Sequence, residues 1–140
     1  MNKEYSVEIG TDPQQIIQLL EDKIYEYNSL KINKADGVLF SRIVRNDHGE
    51  IVAGIAGWTW AGACEITLLW IHENLRKRGI GRLLLDAAEE EARSKKCSVI
   101  LVRSYSFQAP HFYERHGFSI EHIMDNFPEG FQYYILTKKI

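Results

Sequence analysis

From Lys3 to Gly10 the chain alternates, with Tyr5, Val7 and Ile9 on one side, which predicts a first strand. Thr11-Asp12-Pro13 then offers a capping side chain just before a proline suited to a first helical turn. Ile16, Ile17, Leu19, Leu20, Ile24 and Tyr27 follow as an apolar helical stripe that fades into a polar connection from Asn28 to Asp36, long enough to carry a lid. Strands are expected over 37–45 and 51–60, joined by a hairpin turn at Asn46-Asp47-His48-Gly49. Gly54 and Gly57 inside the second of these point to a close backbone approach or a bulge. Residues 64–71 are apolar on both faces except for Glu65 and Thr67, as in a central strand.

A helix beginning at Gly79 places Ile80, Leu83, Leu84, Ala87, Ala88 and Ala92 on one stripe, with Glu89, Glu90 and Arg93 opposite. The run Val99-Ile100-Leu101-Val102 reads as a parallel strand covered on both faces, so strand, helix and strand make one βαβ unit. Pro110 to His116 is a short helix, with Gly117 suited to a left-handed C-terminal position. Strands over 118–124 and 131–140 close the chain around Asn126-Phe127-Pro128-Glu129-Gly130. The predicted order is β-α-β-β-β-α-β-α-β-β, a mixed α/β sandwich.

The chemistry concentrates between the central strand and the helix after it. Arg76-Lys77-Arg78-Gly79-Ile80-Gly81-Arg82 sets four cations around a helix start that carries two glycines. A helix start leaves its first N–H groups without intrahelical partners at the positive end of the macrodipole, and residues lacking Cβ let an anion come close. Phosphate or pyrophosphate is the simplest ligand. A dinucleotide fold would need a third glycine and an acidic ribose-binding residue, but Leu84 follows Leu83 and the next strand ends in Arg103. A P-loop would need Gly-Lys-Ser/Thr, which is absent.

Composition keeps that basic cluster local. The 140 residues fit one domain spanning 1–140, which should bury roughly two thirds of its extended surface. A formal net charge of −2 disfavours nucleic acid or a membrane surface as partner. No apolar run is long enough to span a bilayer, and the start lacks a signal-peptide core. Cys64 and Cys97 have no metal spacing, and His111, His116 and His122 have none either, so two free thiols in a reducing cytoplasm and no metal are expected.

Arg76-Lys77-Arg78-Gly79-Ile80-Gly81 resembles the Arg/Gln-x-x-Gly-x-Gly/Ala pyrophosphate loop of the GCN5-related N-acetyltransferase (GNAT) superfamily, which binds coenzyme A. Downstream, Ala109-Pro110-His111-Phe112-Tyr113-Glu114-Arg115-His116-Gly117-Phe118 is similar to that family's Ala-x-x-(apolar)-Tyr-x-x-x-Gly-Phe helix, with Ser106 where the family usually has Asn. The element order matches except for a second helix after the first. The resemblance implies a GNAT-type α/β fold: a mixed, mostly antiparallel central sheet with a splayed parallel strand pair and flanking helices. It implies acetyl-CoA as cofactor, its pantetheine arm lying in the splay as a pseudo-strand.

By position, the resemblance assigns Arg76, Lys77, Arg78, Gly79, Ile80, Gly81 and Arg82 to the pyrophosphate and the backbone of Leu69, Trp70 and Ile71 to the arm. The Leu69 N–H is the candidate oxyanion donor. Ser104, Ser106, Ala109 and Phe112 would line the other wall. Tyr113 stands where the family has its general acid, and Glu65 at the spacing of the glutamate base of the histone-acetyltransferase branch. The plainer alternatives are a core tyrosine beside Phe112 and a strand glutamate paired with a cation. For His72, at the strand end, a structural role is favoured.

Trp58, Trp60, Asp125 and Phe127 are candidates for an acceptor pocket with an anion for a cationic amine, the alternative being core or a homodimer face. The expected activity is transfer of the acetyl group of acetyl-CoA to a primary amine of a small molecule or peptide, by direct attack in a ternary complex. The rivals are another acyl donor or acceptor on the same scaffold, and a CoA-binding module without turnover.

Overall fold

The computed structural model describes residues 4–140, which fall into two compact units divided after Ala35. In the first unit, helix α1 spans Pro13–Ile32, with the Asp12 carboxylate capping it through the Gln15 N–H at 3.3 Å. It ends on Asn33 in the left-handed conformation. Two expectations are corrected here. Residues 4–10 form no strand, and Lys3 lies outside the described residues. The helix also absorbs positions 28–32, because Asn28-Ser29-Leu30-Lys31-Ile32 contains no Gly or Pro to end it before Asn33, so the expected long connection shrinks to residues 33–37. The stripe residues Ile16, Ile17, Leu19, Leu20, Ile24 and Tyr27 are exposed.

The second unit is a mixed sheet of six strands: β1 (Val38–Arg45), β2 (Ile51–Trp60), β3 (Ala63–Ile71), β4 (Val99–Tyr105), β5 (Ser119–Asp125) and β6 (Gln132–Lys139). The order across the sheet is β1-β2-β3-β4-β6-β5, and β3-β4 is its parallel pair among antiparallel neighbours. Helix α2 (Ile80–Ser94) crosses from β3 to β4, and the short α3 (Pro110–Arg115) precedes β5. One core holds Phe40, Ala53, Ile55, Cys64, Ile66, Ile100, Val102, Tyr113, Phe118 and Leu136 with Leu84, Leu85, Ala88 and Ala92 of α2.

The buried stripe of α2 is rotated from the one expected. Gly81, Leu84, Leu85, Ala88 and Ala92 are buried, while Leu83 is exposed. Three consecutive leucines leave the rotation open in sequence, and the contact made by Gly81 (below) sets it. Two ion-pair groups pin the helix to the sheet: Arg42 of β1 to Glu91 at 2.9 Å, and Lys138 of β6 to Glu89 at 3.1 Å. Burial alone would raise the Glu89 carboxyl, but Lys138 and Arg93 hold it below its ordinary value.

Two irregularities shape the middle of the sheet. Ala56 of β2 pairs with Leu68 but Gly57 pairs with Ile66, so Thr67 is an extra residue, a bulge on β3. A Cβ on Gly57 would lie 2.1 Å from the Glu65 carbonyl oxygen, so only glycine fits opposite that bulge. The second is the short parallel ladder. β3 and β4 pair only from Ala63–Val99 to Ile66–Val102; beyond that level β4 continues against β6, and β3 against β2. The parallel pair splays open toward its C-terminal ends.

Candidate active site

The splay exposes one edge of β3, and alternation decides which backbone groups face it. The His72 N–H bonds to the Val52 carbonyl at 2.8 Å, so His72 and Trp70 direct their hydrogen-bonding groups at β2. Leu69 and Ile71 therefore direct theirs into the gap. Consistently, the Ile71 carbonyl accepts from Arg76 Nε at 3.3 Å rather than from a strand. Of the three residues expected to meet an arm in the gap, Leu69 and Ile71 face it and Trp70 does not: its N–H and C=O belong to the β2 ladder.

Past Ile71 the chain turns sharply. His72 caps a single 3-10 turn (Glu73–Leu75), its Nδ1 accepting from the Asn74 N–H at 3.2 Å, which is the structural role expected for it. Lys77 and Gly79 both take positive φ, 64° and 80°, and Gly79 is the residue at which α2 begins. No side chain caps that helix. Its first intrahelical bond runs from the Leu83 N–H to the Gly79 carbonyl at 3.1 Å, so the N–H groups of Ile80, Gly81 and Arg82 point out of its open end. Arg76, Lys77, Arg78 and Arg82 surround that end, all exposed. Arg82 also lies 4.0 Å from Asp86.

The two glycines do different work. A Cβ on Gly79 would meet nothing within 4 Å, so its role is the turn. A Cβ on Gly81 would sit 3.1 Å from Phe112 Cζ and 3.2 Å from Ile71 Cδ1. Gly81 is thus where the end of β3, the first turn of α2 and the ring of α3 close on one another. Its place in sequence suggests an anion cradle, a role for its free N–H; its missing Cβ in addition lets these three elements pack.

Across the gap, Ser104 is buried and its hydroxyl donates to the Tyr105 carbonyl at 3.3 Å. Ser106 departs from the expected wall. Its Oγ accepts from the Gln132 N–H at 3.1 Å, on the β6 side of β4, and so ties the β5–β6 hairpin to the end of β4. Ala109 is the residue before α3, and Phe112 packs edge-on to Tyr113 with ring centroids 5.2 Å apart.

Tyr113 is only 8% exposed and joins the core, and burial pushes its phenol up to about 12. It stays protonated at any physiological pH, the state a proton donor needs. Burial, with Cys97, Glu91 and Glu65 nearby, likewise pushes the Cys64 thiol up to about 12, so it stays a protonated core thiol.

Glu65 leaves the sheet on the other face. Its neighbours Cys64 and Ile66 enter the core with α2, so alternation turns Glu65 away from it. Its carboxylate is 3.8 Å from the Arg103 guanidinium, and its side chain is 18% exposed. Tyr113 and Glu65 thus approach the parallel pair from opposite faces.

The four acceptor candidates do not converge. Trp58 is level with Glu65 and Trp60 with Ala63, at the closed end of the pair, whereas Asp125 and Phe127 lie in the hairpin beyond the open end. Sequence shows that each is aromatic or acidic; only the strand order separates them.

A mostly antiparallel sheet whose parallel pair opens at its C-terminal ends beside an uncapped, arginine-flanked helix start is a GNAT-type α/β fold. Residues 6–118 match the acetyltransferase (GNAT) family, and the chain belongs to it. Among related proteins, it is 32% identical over 100 residues to acetyltransferase Atu2258 of Agrobacterium fabrum, covering 71% of this chain and 73% of that one. It is 32% identical over 98 residues to the blasticidin-S acetyltransferase of Streptomyces morookaense, covering 67% and 70%.

Solved structures agree. An acetyltransferase from Bacillus cereus superposes with a TM-score of 0.80 at 30% identity, covering 98% of this chain and 99% of that one. An acetyltransferase from Agrobacterium tumefaciens superposes with a TM-score of 0.85 at 27% identity over the whole of both chains. The protein is a GNAT-type acetyltransferase. Among the described residues no helix is long and apolar enough to cross a membrane, and no group of His, Cys, Asp and Glu is placed to hold a metal ion.

Proposed function

We propose that this chain, acting as one GNAT domain over 1–140 in the cytoplasm, transfers the acetyl group of acetyl-CoA to a primary amine by direct attack. The reading rests above all on the opening between β3 and β4 past Ile66 and Val102, with the Leu69 backbone facing it. The residues present fit the cofactor. The uncapped N–H groups of Ile80, Gly81 and Arg82, with Arg76, Lys77 and Arg78 around them, suit a diphosphate, and the splay suits an extended amide-bearing arm. Bound there, the thioester supplies an activated acyl group.

The rest is done by this chain's own groups. The Leu69 N–H donates to the acyl oxygen as negative charge builds on it. The Glu65 carboxylate, on the face away from α2, accepts a proton from the incoming ammonium, directly or through water. Tyr113 gives its proton to the departing sulfur as the carbon–sulfur bond breaks, and the second proton shed by the acylated nitrogen leaves to water, from which the phenolate is reprotonated. With acid and base on opposite faces of the sheet, nucleophile and leaving group need not share one side. That one relative is named for blasticidin S supports a small-molecule acceptor. Thiol release from acetyl-CoA over an amine panel tests the reading. Amine-dependent release well above hydrolysis is expected; tight CoA binding with no such release would instead mark a binding module.

A further inference from the structure

Beyond the open end of the parallel pair, aromatic rings form a continuous ladder. Tyr105 of β4 stacks on Tyr133 of β6 with centroids 4.6 Å apart. Phe107 stacks on the Tyr105 side at 5.3 Å and 5°, and Phe127 on the Tyr133 side at 5.2 Å and 3°. Phe131 meets Phe107 edge-on at 5.2 Å. Phe107 is 59% exposed, Phe131 49% and Phe127 48%, and through Tyr105 and Tyr133 they form one contiguous aromatic patch rather than scattered exposed residues. None of these rings is needed for the core, whose buried members lie on the other face of the sheet.

The position of the ladder connects it to the chemistry. Leu101, Arg103 and Tyr105 alternate along β4 with the buried Ile100, Val102 and Ser104, so Tyr105 shares a face with Arg103. Arg103 is the partner of Glu65, on that same face. The ladder therefore starts two residues along β4 from the ion pair of the candidate base. Beside it is an open depression of about 440 Å³ lined by Ser106, Asp125, Asn126, Gly130, Phe131 and Gln132. Its one charged side chain, Asp125, is oriented by the Gln132 amide, which donates to Oδ1 at 2.9 Å.

We infer that the ladder of Phe107, Tyr105, Tyr133 and Phe127, with Asp125, selects acceptors whose amine is carried on a flat aromatic or heteroaromatic ring. Near-parallel rings spaced about one ring apart end in faces that another planar group extends, and an aliphatic chain of equal charge gains no such stacking. The carboxylate in the adjoining depression matches the cationic charge of an amine before its proton leaves. The inference takes the acetyl transfer proposed above as given and names the acceptor class.

Two cations that cannot be acylated, tryptamine carrying three N-methyl groups and pentyltrimethylammonium, test it by calorimetry on the full chain saturated with CoA. The aromatic cation is expected to bind at least about tenfold tighter, and Phe127→Ala and Phe107→Ala should each remove most of that ratio. Equal affinities, or a ratio untouched by both substitutions, overturn the inference. A parallel assay with tryptamine and pentylamine separates the two readings. If both amines are acetylated with the same kcat/KM, the ladder proposal fails and the transferase reading stands. If neither these two nor any other amine of the panel is acetylated while the aromatic cation keeps its ring-dependent preference, the site stands and the transferase reading fails.

Discussion

The two ends of the proposed reaction path are built from different materials. The donor end, from Leu69 through the start of α2, offers mainly backbone: N–H groups of Leu69, Ile80, Gly81 and Arg82, shaped by a splayed strand and a left-handed Gly79. The acceptor end, where β4 meets the β5–β6 hairpin, offers side chains: Tyr105, Phe107, Phe127, Tyr133 and Asp125. Backbone recognition requires particular glycines at particular spacings, so it leaves a motif. Side-chain recognition requires only that residues distant in sequence meet, so it leaves none. A scaffold made this way keeps its donor while its acceptor changes.

The largest expected effect lies between the two ends. Gly57→Ala puts a carbon where the Glu65 carbonyl oxygen stands, 2.1 Å away, so the bulge must move or the strands part. A loss of about 3 kcal/mol or more is expected in urea unfolding, with both CoA binding and turnover affected. A stable variant with normal kinetics would show that the bulge is dispensable to both ends.

Tyr113→Phe is expected to lower kcat about 10²-fold while leaving the Kd for CoA unchanged, in steady-state and binding measurements respectively. An unaffected kcat removes Tyr113 from the proton-donor role. The donor end alone is probed by Gly79→Val. Its φ of 80° is costly for a β-branched residue, so CoA affinity should fall about tenfold, with little effect on the aromatic-over-aliphatic preference of the acceptor end. A change in that preference instead would blur the division argued above. Glu65→Gln should lower kcat/KM about 10²-fold with the Kd for CoA unchanged; an unaffected kcat/KM assigns the base to water or another residue.

The smallest effect concerns stability at high pH. Burial raises both the Cys64 thiol and the Tyr113 phenol to about 12, from 9.0 and 10.0. Their protonated forms are favoured by the fold, so the stabilisation is complete below pH 9 and is lost as pH rises toward 12. Melting temperature should fall across that window, and less steeply in Tyr113→Phe. An identical slope in the variant would mean the phenol is not held up by the fold.

Much of this was legible in the sequence because the fold is written in local signals. The β3 to α2 turn, the Pro110 and Gly117 boundaries of α3, and the hairpin at Asn46 each depend on residues a few positions apart. The alternation of residues 5, 7 and 9 misled, because a strand needs a neighbour to hydrogen-bond and residues 4–10 have none in a ladder. The rotation of α2 was hidden because Leu83, Leu84 and Leu85 are equally apolar; the choice is made by Phe112 closing on Gly81, thirty-one positions away. The separation of Trp58 and Trp60 from Asp125 and Phe127, and the joining of Phe107 to Tyr133, are consequences of strand order, which no short stretch records.

The direct test of the donor end is a titration of isotopically labelled protein with CoA, followed through backbone amide resonances. The expected result is that the N–H signals of Leu69, Ile80, Gly81 and Arg82 shift most, with Trp70, whose N–H bonds within the β2 ladder, moving less than Leu69. Saturable CoA binding that leaves those four in place and moves another part of the sheet would contradict the account.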